Sequence, residues 1–242
     1  MRRISLATAM FGRWLLSPVL VLVLALPAVA GPWGRDPGDA FLAFSLGVED
    51  SDFGQRGYGQ AFGELGWEGG VVSAVRLRLD GPVGEEGRGD AEADVRVRWH
   101  PGWTDAVALG FEGGLKGETG ALLEDGTRAG AGFWLAAVHV GRGLQTPWGA
   151  GWTRLTLSAE EPLGLIGRSR REALVQMGLR TPGGWLGLAS LSVFDEDGER
   201  TVKLAPAVGR SLGAGRDMVL ELTVERGGAA TRGLALSFWQ AF

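Results

Sequence analysis

The charged residues between positions 64 and 100 are spaced for a particular kind of chemistry. Arg76 and Arg78 are two apart, as are Arg96 and Arg98; Asp80, Glu92 and Asp94 keep the same alternating phase, and Glu64 precedes them. In extended chain, residues i and i+2 share a face. Each arginine pair therefore stands with carboxylates on one side of a strand. In a tight hairpin centred at Gly69, Glu64 lies diagonally from Arg76, within reach of a long side chain. Continuing the phase adds Glu112, Arg154, Glu172, Gln176, Arg180, Lys203 and Glu221. Two kinds of work suit such a set. On the wall of a watery bore it sets a transverse field that sorts small polar or charged solutes by charge and width. In a narrow bore the same groups pair with one another and cement the wall as a plug.

Other chemistries have little to stand on. Without Cys there is no thiolate, disulfide or Cys nucleophile, and with only His100 and His139 there is no multi-His metal centre. No Ser-His-acid set falls at compatible heights, and each His reads as a girdle or bore residue. Glu160-Glu161 and Asp195-Glu196-Asp197 offer oxygen ligands to hard cations, but the DEDGER stretch lacks the remaining ligands of a calcium loop, so solvated charge is the default. No Gly-rich phosphate loop follows a strand and opens a helix. Net charge is −4, with no basic footprint for nucleic acid. The expectation is a non-enzymatic chain with no metal, no cofactor and no nucleic-acid partner.

The elements that must position these charges are strands. Ala40, Leu42, Phe44, Leu46 and Val48 alternate with Asp39, Phe41, Ala43, Ser45 and Gly47. Val75, Leu77 and Leu79 keep the same period, as do Val95, Val97 and Trp99, then Met218, Leu220, Leu222 and Val224. A period of two is the strand signature; a helix would scatter the charges around its cylinder. Twelve such segments are predicted near 39–49, 57–67, 71–80, 91–100, 105–114, 130–141, 150–160, 171–180, 185–194, 201–210, 217–226 and 232–242. Ten or fourteen are the alternatives, because 111–149 alternates weakly. One set of connections is compact and rich in Gly, Pro or Trp (68–70, 101–104, 142–149, 181–184, 211–216). The other set (50–56, 81–90, 115–128, 161–170, 195–200, 227–231) is generally more acidic. Trp67, Trp99, Trp103, Trp148, Trp152, Trp185 and Trp239 all fall at or near the compact end, as expected of an aromatic girdle where hydrocarbon meets headgroups.

The first 30 residues read as an export signal, with Arg2, Arg3 and Arg13, an apolar run from Trp14 to Leu26, and Ala28-Val29-Ala30 as a small-x-small cleavage site. Cleavage near Ala30 would leave a domain of residues 31–242 with 21 basic groups (24 less three Arg) against 28 acidic, a net charge of −7. An unpaired backbone amide costs several kcal/mol in hydrocarbon, so a sheet there has to close. The fold class expected is all-β: an antiparallel up-and-down transmembrane barrel with apolar side chains toward lipid and ionised ones toward the bore.

The chain ends with Leu234, Leu236, Phe238 and the final Phe242 on one face, with Gln240 between the last two. This resembles the terminal strand of Gram-negative outer-membrane β-barrel proteins that end in Phe. The resemblance covers the last nine residues closely and the rest as a pattern, and Gln240 departs from the aromatic common at its position. It implies an outer-membrane location and contact with lipid and lipopolysaccharide. It also implies that those four residues are the recognition signal for the barrel assembly machinery. The leading functional expectation is a narrow charged bore passing small polar solutes; the rival is a closed structural barrel of the envelope without transport.

Overall fold

The computed structural model describes residues 35–52, 54–83, 89–101, 107–122, 128–227 and 230–242; the export-signal segment with its Ala30 site, and Trp103, lie outside the described residues. Strong period-two patterning produces twelve strands: β1 (Ala40–Ser51), β2 (Gly54–Trp67), β3 (Val71–Pro82), β4 (Asp90–Trp99), β5 (Ala108–Leu122), β6 (Arg128–Thr146), β7 (Gly149–Pro162), β8 (Arg170–Arg180), β9 (Trp185–Glu196), β10 (Glu199–Gly213), β11 (Arg216–Arg226) and β12 (Thr231–Ala241). Each pairs antiparallel with its chain neighbours. β1 and β12 close the barrel through an unbroken register from Phe41–Ala241 to Ser51–Thr231. The fold is thus the expected up-and-down barrel, with twelve strands. The weak alternation in 111–149 resolves into two long strands, β5 and β6, rather than an extra pair.

The two sheet faces differ as the pleat requires. Leu77 is 52% exposed, Leu79 65%, Val97 52% and Leu220 44%, so the apolar phase lies on the outside. Arg76, Arg78, Asp94, Arg96 and Arg98 occupy the opposite phase and are half-buried or buried. Strand stagger is steep. Following cross-strand partners from Ser51 at one rim leads through Thr231, Glu225, Lys203, Ser192, Leu174 and Thr156 to His139, well down β6. That drift is the shear of a tilted, closed sheet.

Several expected connections are shorter than predicted, two of them instructively. The 195–200 stretch is not a polar loop: β9 and β10 run to a two-residue hairpin at Asp197-Gly198, both with positive φ (50° and 91°), and Asp195 Oδ1 accepts the Gly198 amide. Asp-Gly suits the primed turn whose twist matches the strands, so the carboxylates are strand-end residues. The 142–149 turn likewise shrinks to Pro147-Trp148, with Thr146 paired to Gly149.

Candidate functional site

The inner face of β1 to β7 carries groups of ion pairs. At the rim where β3 meets β4, Arg56 bridges Asp80 and Asp90, and Arg78 reaches Glu49 at 3.2 Å and Asp80 at 3.5 Å. A second chain runs down the barrel with signs alternating throughout. Arg76 joins Glu92 (2.5 Å) and Asp94 (2.6 Å), and Asp94 also accepts Arg96 (2.7 Å). Arg96 then reaches Glu112 (3.3 Å), which Arg98 grips through Nε (2.8 Å) and Nη2 (2.7 Å). Arg98 contacts Glu64 (3.4 Å), and Glu64 accepts Arg35 (3.0 Å) from the segment before β1. Asp94 and Glu112 are almost fully covered. A carboxylate that deep is tolerable only with several donors, and each has them. The arginines are therefore committed to carboxylates, and a solute in the bore has to compete with those pairs.

Aromatic rings on the same face add a second layer. Arg35 lies over Phe41 (4.6 Å), Arg78 over Tyr58 (4.1 Å), Lys116 over Phe133 (4.5 Å) and Arg170 over Phe194 (3.8 Å). Each stacking holds a guanidinium or ammonium against the wall. The facing wall, β9 to β12, is different: Ser192, Ala205, Gly209, Val219, Thr223 and Ala235 are small or apolar and largely buried. Ser45 and Ser237 share a hydroxyl hydrogen bond of 2.8 Å near the closure of the sheet.

Of the candidate residues, Glu64, Arg76, Glu92, Asp94, Arg96, Arg98 and Glu112 are joined in one chain of ion pairs, and Arg78 and Asp80 belong to the rim group. Arg180 makes a separate double contact with Asp217 (2.7 and 2.8 Å), and Glu172 pairs with Arg170 (3.1 Å). Arg154 shares the inner face, opposite Gln176. Lys203 and Glu221 lie on the small-residue wall in inner-face positions, with no ion pair within 4.0 Å among the described residues. Residues not foreseen are Arg35, Glu49, Arg56, Asp90, Lys116 (2.6 Å to Glu160), Glu118 and Asp217. All but Arg35 were legible by extending the same phase along each strand; Arg35 precedes the first strand and gave no periodic signal.

One grouping departs from expectation. His139 Nδ1 lies 2.9 Å from Thr156 Oγ1, and its Nε2 is 3.5 Å from Glu112. A hydroxyl, an imidazole and a carboxylate thus do meet, through a Thr rather than a Ser. Glu112 is already bound by Arg96 and Arg98, so the imidazole shares this carboxylate with two guanidinium groups.

The Trp residues divide between the two faces. Trp67, Trp99 and Trp185 are exposed outward at the compact rim, and Trp148 projects from its turn. Trp99 stacks on Phe111. Trp152 and Trp239 are near that rim but on the inner phase, so they do not join the outward ring. Trp239 packs edge-on to Phe41, and the Trp152 ring occupies the space that a Cβ at Gly178 would fill. Trp152 shares the inner phase of Arg154, two residues on, and Gly178 across the strand pair leaves room for its ring. Leu234, Leu236 and Phe238 on β12, and Phe242 just after it, are all exposed.

The chain matches no protein-family model and no curated protein. Solved structures do share its fold. A KdgM porin in complex with disordered oligogalacturonate superposes with a TM-score of 0.60 at 4% identity, over 82% of this chain and 98% of that one. A NanC porin gives 0.58 at 7%, over 81% and 98%. An outer membrane channel from Pseudomonas putida F1 gives 0.55 at 11%, over 88% and 99%. At these identities the likeness is one of fold, shared with porins and channels.

Proposed function

We propose that this chain is an outer-membrane barrel whose narrow, charge-lined bore passes small polar solutes. The observation that carries the reading is the ion-pair lattice along one inner wall beneath an apolar exterior. In a soluble barrel or sandwich the apolar phase is buried and the charges face water, and here the arrangement is reversed. The fold shared with porins and channels supports the same reading, and the oligogalacturonate in one of them makes an acidic sugar a reasonable first solute to try. The proposal includes export, cleavage near Ala30, contact with lipid and lipopolysaccharide, and use of Leu234, Leu236, Phe238 and Phe242 by the barrel assembly machinery. The exposed Trp67, Trp99, Trp148 and Trp185 serve as the girdle at the periplasmic rim.

Purified, refolded protein in a planar bilayer tests this directly. Discrete conductance, shifted in ion selectivity by neutral substitution of Arg76 and Arg96, is the expected result. A specific observation favours a second reading, a closed structural barrel: on the facing wall Val219 and Ser192 are only 2% and 4% exposed, which leaves little room for water between the walls. A silent bilayer, together with a lowered unfolding temperature in the Arg76 and Arg96 variants, would select that reading.

A further inference from the structure

The inner arginines of the lattice are paired, whereas a group on the outer surface is not. Arg200 (β10), Arg226 (β11) and Arg232 (β12) are exposed, lie in the outward phase, and have no salt bridge or side-chain hydrogen bond among the described residues. Register places them in a row. Arg226 is opposite Val202, one outward position below Arg200, and Arg232 is opposite Val224, one outward position below Arg226. Each neighbour is thus a diagonal, with Cβ atoms roughly 7–8 Å apart. Because the cross-strand direction descends from β12 to β10, stepping up by one diagonal per strand keeps the row close to level around the rim. Directly beneath it lie exposed Val202, Leu204, Leu222, Val224, Leu234 and Leu236. Arg171 on β8 flanks the row. The outward carboxylates alongside are Asp50, opposite Arg232, and Asp195, opposite Arg200 and Arg171; Arg226 faces none.

We infer that this sector of the rim binds a membrane lipid with a phosphorylated headgroup, the phosphate shared by Arg226 and its two neighbours and the acyl chains lying on the Val/Leu strip below. This rests on the membrane reading proposed above. Guanidinium groups suit the site because they present planar donor pairs to phosphate oxygens and shed water more readily than ammonium groups. Three unpaired cations above an apolar strip complement an anionic amphiphile in both charge and polarity. The opposite sector of the same rim, with Gln55 on β2 and Thr119 on β5 in the outward phase, has no such cluster among the described residues.

The test uses the full chain refolded into phosphatidylcholine vesicles with and without lipid A, with the midpoint of heat-modifiable gel migration as readout. Lipid A should raise the wild-type midpoint. The Arg226→Gln/Arg232→Gln variant should need about tenfold more lipid A for the same rise, as two exposed ion contacts imply. Arg210→Gln/Arg216→Gln, at the other rim, should behave as wild type. A wild type that shows no heat-modifiable, bilayer-inserted form would sink the membrane reading itself. Insertion with an unchanged midpoint, or an undiminished response in the Arg226/Arg232 variant, would overturn the lipid site alone. Equal stabilisation by inorganic phosphate or by dephosphorylated lipid A would overturn the proposed ligand.

Discussion

Glu112→Gln is the sharpest perturbation of the inner wall. The Glu112 carboxylate accepts Arg98 twice, at 2.8 and 2.7 Å, and Arg96 at 3.3 Å, and its side chain is 4% exposed. The amide keeps the shape and one acceptor oxygen but removes the charge and turns two donor hydrogens toward guanidinium groups. Stripping one partner from a buried pair costs about 3–5 kcal/mol. Neither arginine is stranded here, because Arg98 keeps Glu64 at 3.4 Å and Arg96 keeps Asp94 at 2.7 Å. The lower end, about 3 kcal/mol, is therefore expected. At about 2–4 °C per kcal/mol for a chain of this size, the unfolding midpoint should fall by roughly 6–12 °C. Heat-modifiable migration measures it. The double change Arg98→Met/Glu112→Leu should recover much of the loss, since apolar groups of similar volume often replace a buried pair at little cost. A Glu112→Gln midpoint within about 2 °C of wild type would refute the argument that these pairs hold the wall. In a conducting barrel the same change should also move selectivity toward anions.

Four further outcomes follow from named contacts. A Cβ at Gly178 would stand 1.3 Å from Trp152 Cζ3, so Gly178→Val should destabilise by about 1–3 kcal/mol, and Trp152→Ala in the same chain should relieve part of it, both read by thermal midpoint. In single-Trp variants, doxyl- or bromo-lipids should quench Trp67, Trp99 and Trp185 and spare Trp152 and Trp239; strong quenching of either of the latter two would contradict their inward placement. Burial first, and Arg98 second, hold His100 below its ordinary imidazole value of 6.5. Protonation therefore favours the unfolded chain, and stability present at neutral pH should decline as pH falls through 6.5 toward the lower folded value; His100→Gln should flatten that decline in acid unfolding curves. Deleting Phe242 should reduce the assembled, heat-modifiable form in cells while largely sparing refolding from urea into detergent, since the Phe41–Ala241 to Ser51–Thr231 pairing remains and only the backbone hydrogen bonds between Ala40 and Phe242 are lost.

Much of the architecture was legible because in a barrel wall one residue's face predicts the next. The run from Ala40 to Val48 and the Arg76–Arg78 and Arg96–Arg98 pairs identify their strands and faces with no knowledge of a partner. Turn ends were harder: Asp195 to Arg200 read as a loop because its composition is polar, while Asp197-Gly198 is in fact all the turn that two twisted strands need. Lys116 does not stand out as an inner-face residue because 111–149 alternates weakly, and Glu160 reads only as a candidate cation ligand; the folded sheet brings the two to 2.6 Å.

By itself, the sequence determined strand identity, strand count to within a hairpin, the two faces of most strands and the sign of the charges on the inner one. Those properties follow from local pleat geometry and from what lipid and water tolerate. Tertiary structure decided height and partnership. Shear carries a cross-strand row from Ser51 at one rim down to His139, so residues far apart in the chain and at unequal distances from their turns meet at one level. That is how Arg98 on β4 reaches Glu64 on β2, how Lys116 on β5 reaches Glu160 on β7, and how Arg180 on β8 reaches Asp217 on β11. Stagger is a property of the closed sheet, and no single strand encodes it.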